Sequence, residues 1–376
     1  MPIITKPIGD INPSADRNPI DRRLDGFDPL ASYQMIPLGK TREMVAQTGD
    51  FKAEMDLIGS DVSSMSNFRI LRQSTPNLTP LPGPGNFVRR VVLPERSEIQ
   101  FTLSGRAIGR TVLEGRDRPG LGVPLLKPDF RLIISVKRTE FHRVAVCHVF
   151  DRINRDTGSR IDLAGHLTEV NAVYRDQANF FIVNGDGPSA STQAARTITL
   201  NGTFGKVFNF ADNELIGRVV LAFDAKFPAI FGAGDTVIFS FPVPLRIKKL
   251  PKNLYTGYGT EMVQISTRRK FKVLLIGPSA ARKPLKQGGQ IPSPVRLIRH
   301  TIAHELGHLL GLRHNPGEVA QLPSIDIGPI INPVFFQPIF HNLMFPINFI
   351  FSDRINASQV EILHLKRAAF RADEFA

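Results

Sequence analysis

The sequence runs to 376 residues with a formal net charge of +13, 42% hydrophobic residues and a single cysteine. This length is enough for two or three domains with sizeable cores, and one cysteine excludes a disulfide framework. The basic residues fall in scattered clusters such as Arg89-Arg90, Lys248-Lys249 and Arg268-Arg269-Lys270. No aromatic-interleaved basic module accompanies them, so the charge reads as solvated surface rather than a nucleic-acid interface.

Residues 1–29 are rich in Pro, Asp, Asn and Arg and read as a flexible lead-in. Met1 to Pro13 lacks an apolar core flanked by positive charge, so no signal peptide is visible. That fits a cytoplasmic protein or one exported by a signal-independent route. Short strand-like runs begin near Tyr33: Met35–Leu38, Phe51–Ile58, Phe68–Leu71, Phe87–Leu93, Glu98–Leu103, Thr111–Leu113 and Arg131–Val136. Ile99, Phe101 and Leu103 alternate with Gln100 and Thr102, the period of a half-buried strand. These runs predict a small all-β sandwich over residues 30–138. Phe101 to Gly105, with Gly109 and Thr111, resembles the closing strands of bacterial immunoglobulin-like domains. Such a domain would serve as adhesion module, spacer or inhibitor.

A second domain, residues 139–376, is expected to follow. Phe141 to Phe150 reads as a strand covered on both faces, with Cys147 packed inside it. Asp162 to Gln177 predicts a helix on the spacing of Leu163, Leu167, Val170 and Tyr174, with His166 a packing or surface residue. Phe180–Val183 reads as a strand. Val219–Phe223 and Thr236–Phe241 are strand-like within the stretch 184–267, whose role the sequence does not state. Phe271–Ile276 is a further strand. The apolar stretch from Ile325 to Phe351 is interrupted by Pro329, Pro333, Pro338 and Pro346, which rules out a membrane helix there. Asn356 and Gln359 have the spacing of an N-cap and its partner, opening a terminal helix that runs toward Ala372. His341 and His364 read as structural or exposed.

The chemistry concentrates in His304-Glu305-Leu306-Gly307-His308-Leu309-Leu310-Gly311-Leu312-Arg313-His314. Ser293-Pro294 opens a helix, and Ile298, Ile302, Leu306, Leu309 and Leu310 give it an apolar stripe. His304 and His308, at i and i+4, share a face and can bind one metal ion together. Gly311 stops the helix at low conformational cost, so the chain can return His314 as a third ligand. Three imidazoles leave one position of a tetrahedral zinc site open, the arrangement of a catalytic site. Glu305 stands beside a ligand and can reach that position as general base.

This pattern, H-E-x-x-H-x-x-G-x-x-H, resembles that of the metzincin zinc peptidases, and Ala303 to Leu312 is most similar to matrixin-like bacterial members. The resemblance extends to Asn342-Leu343-Met344-Phe345-Pro346, which looks like the methionine turn beneath the metal, with Met344 as its methionine. Phe345 stands where several metzincins carry a tyrosine ligand, and Asn315 after the third histidine matches no well-known subfamily. Strand, long helix, strand over residues 141–183 also resembles the opening of the catalytic domain. The resemblance implies an α+β fold: a metzincin-like peptidase domain with a twisted mixed sheet, an active-site helix and a C-terminal helix behind the site, preceded by the small β-sandwich. It implies one catalytic Zn²⁺ and hydrolysis of protein or peptide substrates, laid along an edge strand near Phe271–Ile276. Nothing in the sequence specifies a further calcium or zinc. Two other readings stand beside it: a zinc-containing but inactive adhesion or binding protein, and a nucleic-acid-associated protein drawn by charge.

Overall fold

A computed structural model describes residues 4–7, 26–28, 33–47, 53–58, 62–71, 89–93, 98–117, 130–155, 163–184, 196–209, 212–228, 236–246, 257–263, 270–277, 294–313, 343–344 and 355–364. The chain divides into two compact units. One comprises Met1–Glu140, Arg175–Asn179 and Ile355–Ala376; the other comprises Phe141–Tyr174 and Phe180–Arg354.

The first unit is built from two sheets. Strands β1 (Ile4–Pro7), β4 (Thr41–Gln47), β8 (Glu98–Gly105) and β6 (Ser63–Leu71) pair in the order β1-β4-β8-β6. Strands β2 (Phe27–Asp28), β3 (Tyr33–Pro37), β10 (Phe130–Lys137), β9 (Gly109–Asp117), β5 (Ala53–Ile58) and β7 (Arg89–Leu93) pair in the order β2-β3-β10-β9-β5-β7. β3 runs parallel to β10 and packs against β4 and β8 of the other sheet. Met35, Ile36, Met44, Phe101, Leu103, Leu132, Ile134 and Val136 are all buried between strands of this unit. The alternation predicted on β8 is present: Phe101 and Leu103 are buried, while Thr102 and Ser104 are half-exposed. Residues 1–29, expected to be a flexible lead-in, supply two paired strands, β1 on β4 and β2 on β3.

A helix over residues 357–364 closes this unit. Its start is the expected reciprocal cap: Gln359 N–H donates to Asn356 Oδ1 at 2.9 Å, and Asn356 N–H to Gln359 Oε1 at 2.9 Å. One turn on, Glu361 accepts from Tyr33 Oη at 2.9 Å, Ser135 Oγ at 2.8 Å, Lys137 Nζ and Arg110 at 2.8 Å. Burial works against ionising this carboxyl, but the bonds from Arg110, Lys137 and Ser135 outweigh it and hold its pKa down at about 2.

The second unit is a mixed sheet with helices on both faces. Strands β12 (Phe180–Asn184), β11 (Glu140–Phe150), β15 (Thr236–Ser240), β18 (Lys270–Ile276) and β17 (Gly257–Val263) pair in that order, and β13 (Arg196–Thr199) adds to β11. β11, β15 and β18 are mutually parallel, and β17 is antiparallel to β18 and is the edge strand among the described residues. A short parallel pair, β14 (Phe208–Asn209) and β16 (Leu245–Arg246), forms a separate two-stranded sheet whose Phe208 and Leu245 join the core of this unit. Helix α1 (Leu163–Ala178) follows β11. Helix α2 (Asn213–Lys226) sends Leu215, Ile216, Val219, Val220 and Phe223 into a core with Ala145, Cys147, Val149, Val237, Phe239, Val273 and Leu275. Helix α3 (Pro294–Leu309) packs on β17 and β18. Gly257 and Gly259, directly opposite Ile276 and Leu274, turn their Cβ directions to α3, so α3 covers the face opposite α2. Double coverage is why these strands are apolar on both sides.

Two expectations are corrected here. Val219–Phe223, expected as a strand, lies inside α2: Leu215, Ile216, Val219, Val220 and Phe223 recur at helical spacing, and Asp212 Oδ1 caps the helix by accepting from Leu215 N–H. The expected fold class, a metzincin-like peptidase domain preceded by a small β-sandwich, is also corrected. The described residues are sheet-rich, with one two-stranded, one four-stranded and two six-stranded sheets among them. Among the described residues, the stretch 184–267 builds a helix and five strands of its own. Within the first unit, the terminal helix is bonded through Glu361 to β3, β9 and β10. Among the described residues no helix is long and apolar enough to cross a membrane.

Candidate metal centre

Helix α3 carries His304, Glu305 and His308 on consecutive turns. Ile302, Leu306, Leu309 and Leu310 are buried, so the apolar stripe seats the helix on its sheet. Gly311 adopts φ 93°, and Leu312 N–H returns to Gly307 O at 2.8 Å, so the helix ends at the predicted glycine.

The two imidazoles are oriented by main-chain carbonyls. His304 Nδ1 lies 2.7 Å from Leu343 O, and His308 Nδ1 lies 3.1 Å from Leu312 O. A carbonyl can only accept, so Nδ1 of each ring carries the proton and the lone pair sits on Nε2, the form that binds a metal. The rings stand 4.9 Å apart and nearly perpendicular.

Beneath them, Met344 is fully buried in the turn of residues 343–344. A Cβ placed on Gly307 would come within 2.5 Å of Met344 Sδ and 3.3 Å of Tyr174 Oη. Glycine at 307 is therefore what lets the turn approach the helix and bring Leu343 O to His304. Tyr174, fully buried, donates its hydroxyl to Ala303 O and braces the same turn of α3 from α1.

Glu305 Oε2 accepts from Gly259 N–H of β17 at 2.9 Å. Burial pushes the Glu305 carboxyl up to about 7, and the Gly259 amide pulls against that rise. Gly257 and Gly259 permit this closeness. A Cβ at 257 would meet Thr301 Cγ2 at 2.7 Å and Glu305 Cγ at 2.9 Å; at 259 it would meet Glu305 O at 3.0 Å.

The structure thus brings together His304, Glu305, His308, Gly311 and Met344. His314, His341 and Phe345 lie outside the described residues. Among the described residues no three His, Cys, Asp or Glu side chains gather within metal-binding reach. His142, with Nε2 2.8 Å from Thr236 Oγ1, and His148, stacked on Phe150, are buried on β11 in packing surroundings. Burial pushes the Cys147 thiol up to about 12, as befits a packing residue. The sequence reading missed Gly257, Gly259 and the hydroxyl of Tyr174. A glycine at alternate positions of a strand signals close backbone approach, but does not say to what.

No protein-family model matches the chain, and no curated protein matches it. Several solved structures match parts of the chain at low TM-scores. The cohesin module of a Clostridium perfringens family 33 glycoside hydrolase is 12% identical, covering 28% of this chain and 90% of that one at a TM-score of 0.20. The bacterial hydrophobin BslA is 10% identical, covering 27% and 82% at 0.18. WR4, a Caenorhabditis elegans MSP family member, is 9% identical, covering 29% and 93% at 0.15.

Proposed function

We propose that this chain is a zinc-dependent endopeptidase whose site resembles the metzincin motif locally. The observation that carries the reading is the pair His304 and His308, each with Nδ1 on a main-chain carbonyl, with Glu305 next to His304 on the same helix and its carboxyl on the Gly259 amide. The donor set fits zinc: neutral imidazoles in the Nε2 lone-pair form, each ordered by a second group. His304, His308 and His314 would hold the ion. Bound there, zinc acidifies water and polarises a carbonyl.

The remaining steps belong to the chain. Glu305, held by the Gly259 amide, takes a proton as water attacks the scissile carbonyl. It then gives that proton to the departing amine. The edge strand β17 offers main-chain groups to an extended peptide. Its glycines keep that edge within reach of Glu305.

Zinc content measured together with casein hydrolysis, with and without a chelator, tests this reading. One zinc per chain and chelator-sensitive cleavage are expected. One zinc without cleavage of casein or a peptide library would favour an inactive binding protein, and absence of zinc would end the proposal.

A further inference from the structure

β17 pairs on one side only among the described residues, with β18. Gly259 sits opposite Leu274 in that pairing, yet its N–H points to Glu305 Oε2. In an antiparallel pair, alternate residues turn their main-chain groups away from the partner. The Gly259 amide is therefore an outward group of the edge, in the place where an added strand would bond. The Glu305 carboxylate occupies it, reaching from α3 around the strand. The glycines independently mark this contact as built. A Cβ at 257 or 259 would strike Thr301, Glu305 or Leu309, so any other residue would hold the strand off the helix and the amide off the carboxylate.

We propose that Gly259 is a positioning residue for Glu305 and that its amide is handed over during binding. In the resting protein it holds the carboxylate. When an extended peptide adds to β17, a peptide carbonyl takes the amide, and the carboxylate is released to accept a proton. Binding in the correct register is thereby coupled to freeing the base, and a peptide that fails to reach Gly259 leaves Glu305 tied. This inference rests on the peptidase reading above.

The chain offers a clean probe of the amide. It has four tyrosines, and Tyr258-Gly259 is the sole Tyr-Gly step. Labelling tyrosine carbonyls with ¹³C and glycine with ¹⁵N leaves one signal in a carbonyl-correlated amide spectrum. The zinc-loaded full chain is compared with Glu305→Gln and Glu305→Ala, alone and with β-casein in excess. Without casein, the Gly259 amide proton is expected upfield in both variants, because a charge-assisted bond has been weakened or lost. With casein in excess, the three positions converge. No difference in the resting protein overturns the contact; a difference that survives excess casein overturns the handover. Casein that neither shifts the signal nor is cleaved sinks the peptidase reading and the handover with it, while the resting comparison still reports the Gly259–Glu305 contact.

Discussion

Glu305 and Met344 show how single side chains are set by what surrounds them. Glu305→Gln keeps the length of the side chain and both histidines, so zinc binding should persist while casein turnover falls by about 10²–10⁴-fold. Stoichiometric zinc by elemental analysis beside lost kcat would bear this out, and full activity would remove Glu305 as the base. Met344 fills the space under Gly307, so Met344→Ala should cost about 2–5 kcal/mol in chemical denaturation, while Met344→Leu should cost less than about 1.5 kcal/mol. At this scale the sequence was most legible. His304, Glu305 and His308 are neighbours on one helix, and Asn356 and Gln359 are three apart, so local geometry alone places them. The amide that holds Glu305 comes from 46 residues upstream, and no local rule could name it.

Among elements, β17 and α3 form a close contact that depends on two missing side chains. Gly257→Ala would put a methyl 2.7 Å from Thr301 Cγ2 and 2.9 Å from Glu305 Cγ. Strand and helix would have to part, at about 1–3 kcal/mol. Reduced kcat with zinc stoichiometry unchanged is the expected result, and unaltered kinetics would mean that the contact has no part in catalysis. Element type was harder to read than element position. The run from Val219 to Phe223 passes for a short buried strand in a narrow window. Only Leu215, Ile216 and the Asp212 cap reveal a helix, because the deciding signal spans three turns. The sheet arrangement was less legible still. The fold class expected from one motif did not survive, because a motif of eleven residues reports a site and says nothing of how distant strands pair.

At the scale of the whole molecule, Glu361 gives the first unit an acid-sensitive fastening. Its folded-state pKa lies near 2, below the ordinary glutamate value of about 4.3. The stabilisation is therefore complete above pH 5 and is lost as the pH falls toward 2. Glu361→Gln should cost about 1–3 kcal/mol at pH 7 and erase most of the difference from wild type by pH 2.5, followed by urea midpoints at each pH. A variant as stable as wild type at pH 7 would show that the four donors contribute nothing.

That fastening joins Tyr33 to a residue 328 positions later. During synthesis, the strands of the first unit emerge long before the helix that bears Glu361, and the whole second unit is made in between. Tyr33, Ser135 and Lys137 must wait for their acceptor until residue 361 has been made. Closing so long a loop is slow and entropically costly, so the β unit matures last although it is made first. A nascent chain arrested before residue 355 would carry α3 yet lack the acceptor that Tyr33, Ser135 and Lys137 bond in the first unit.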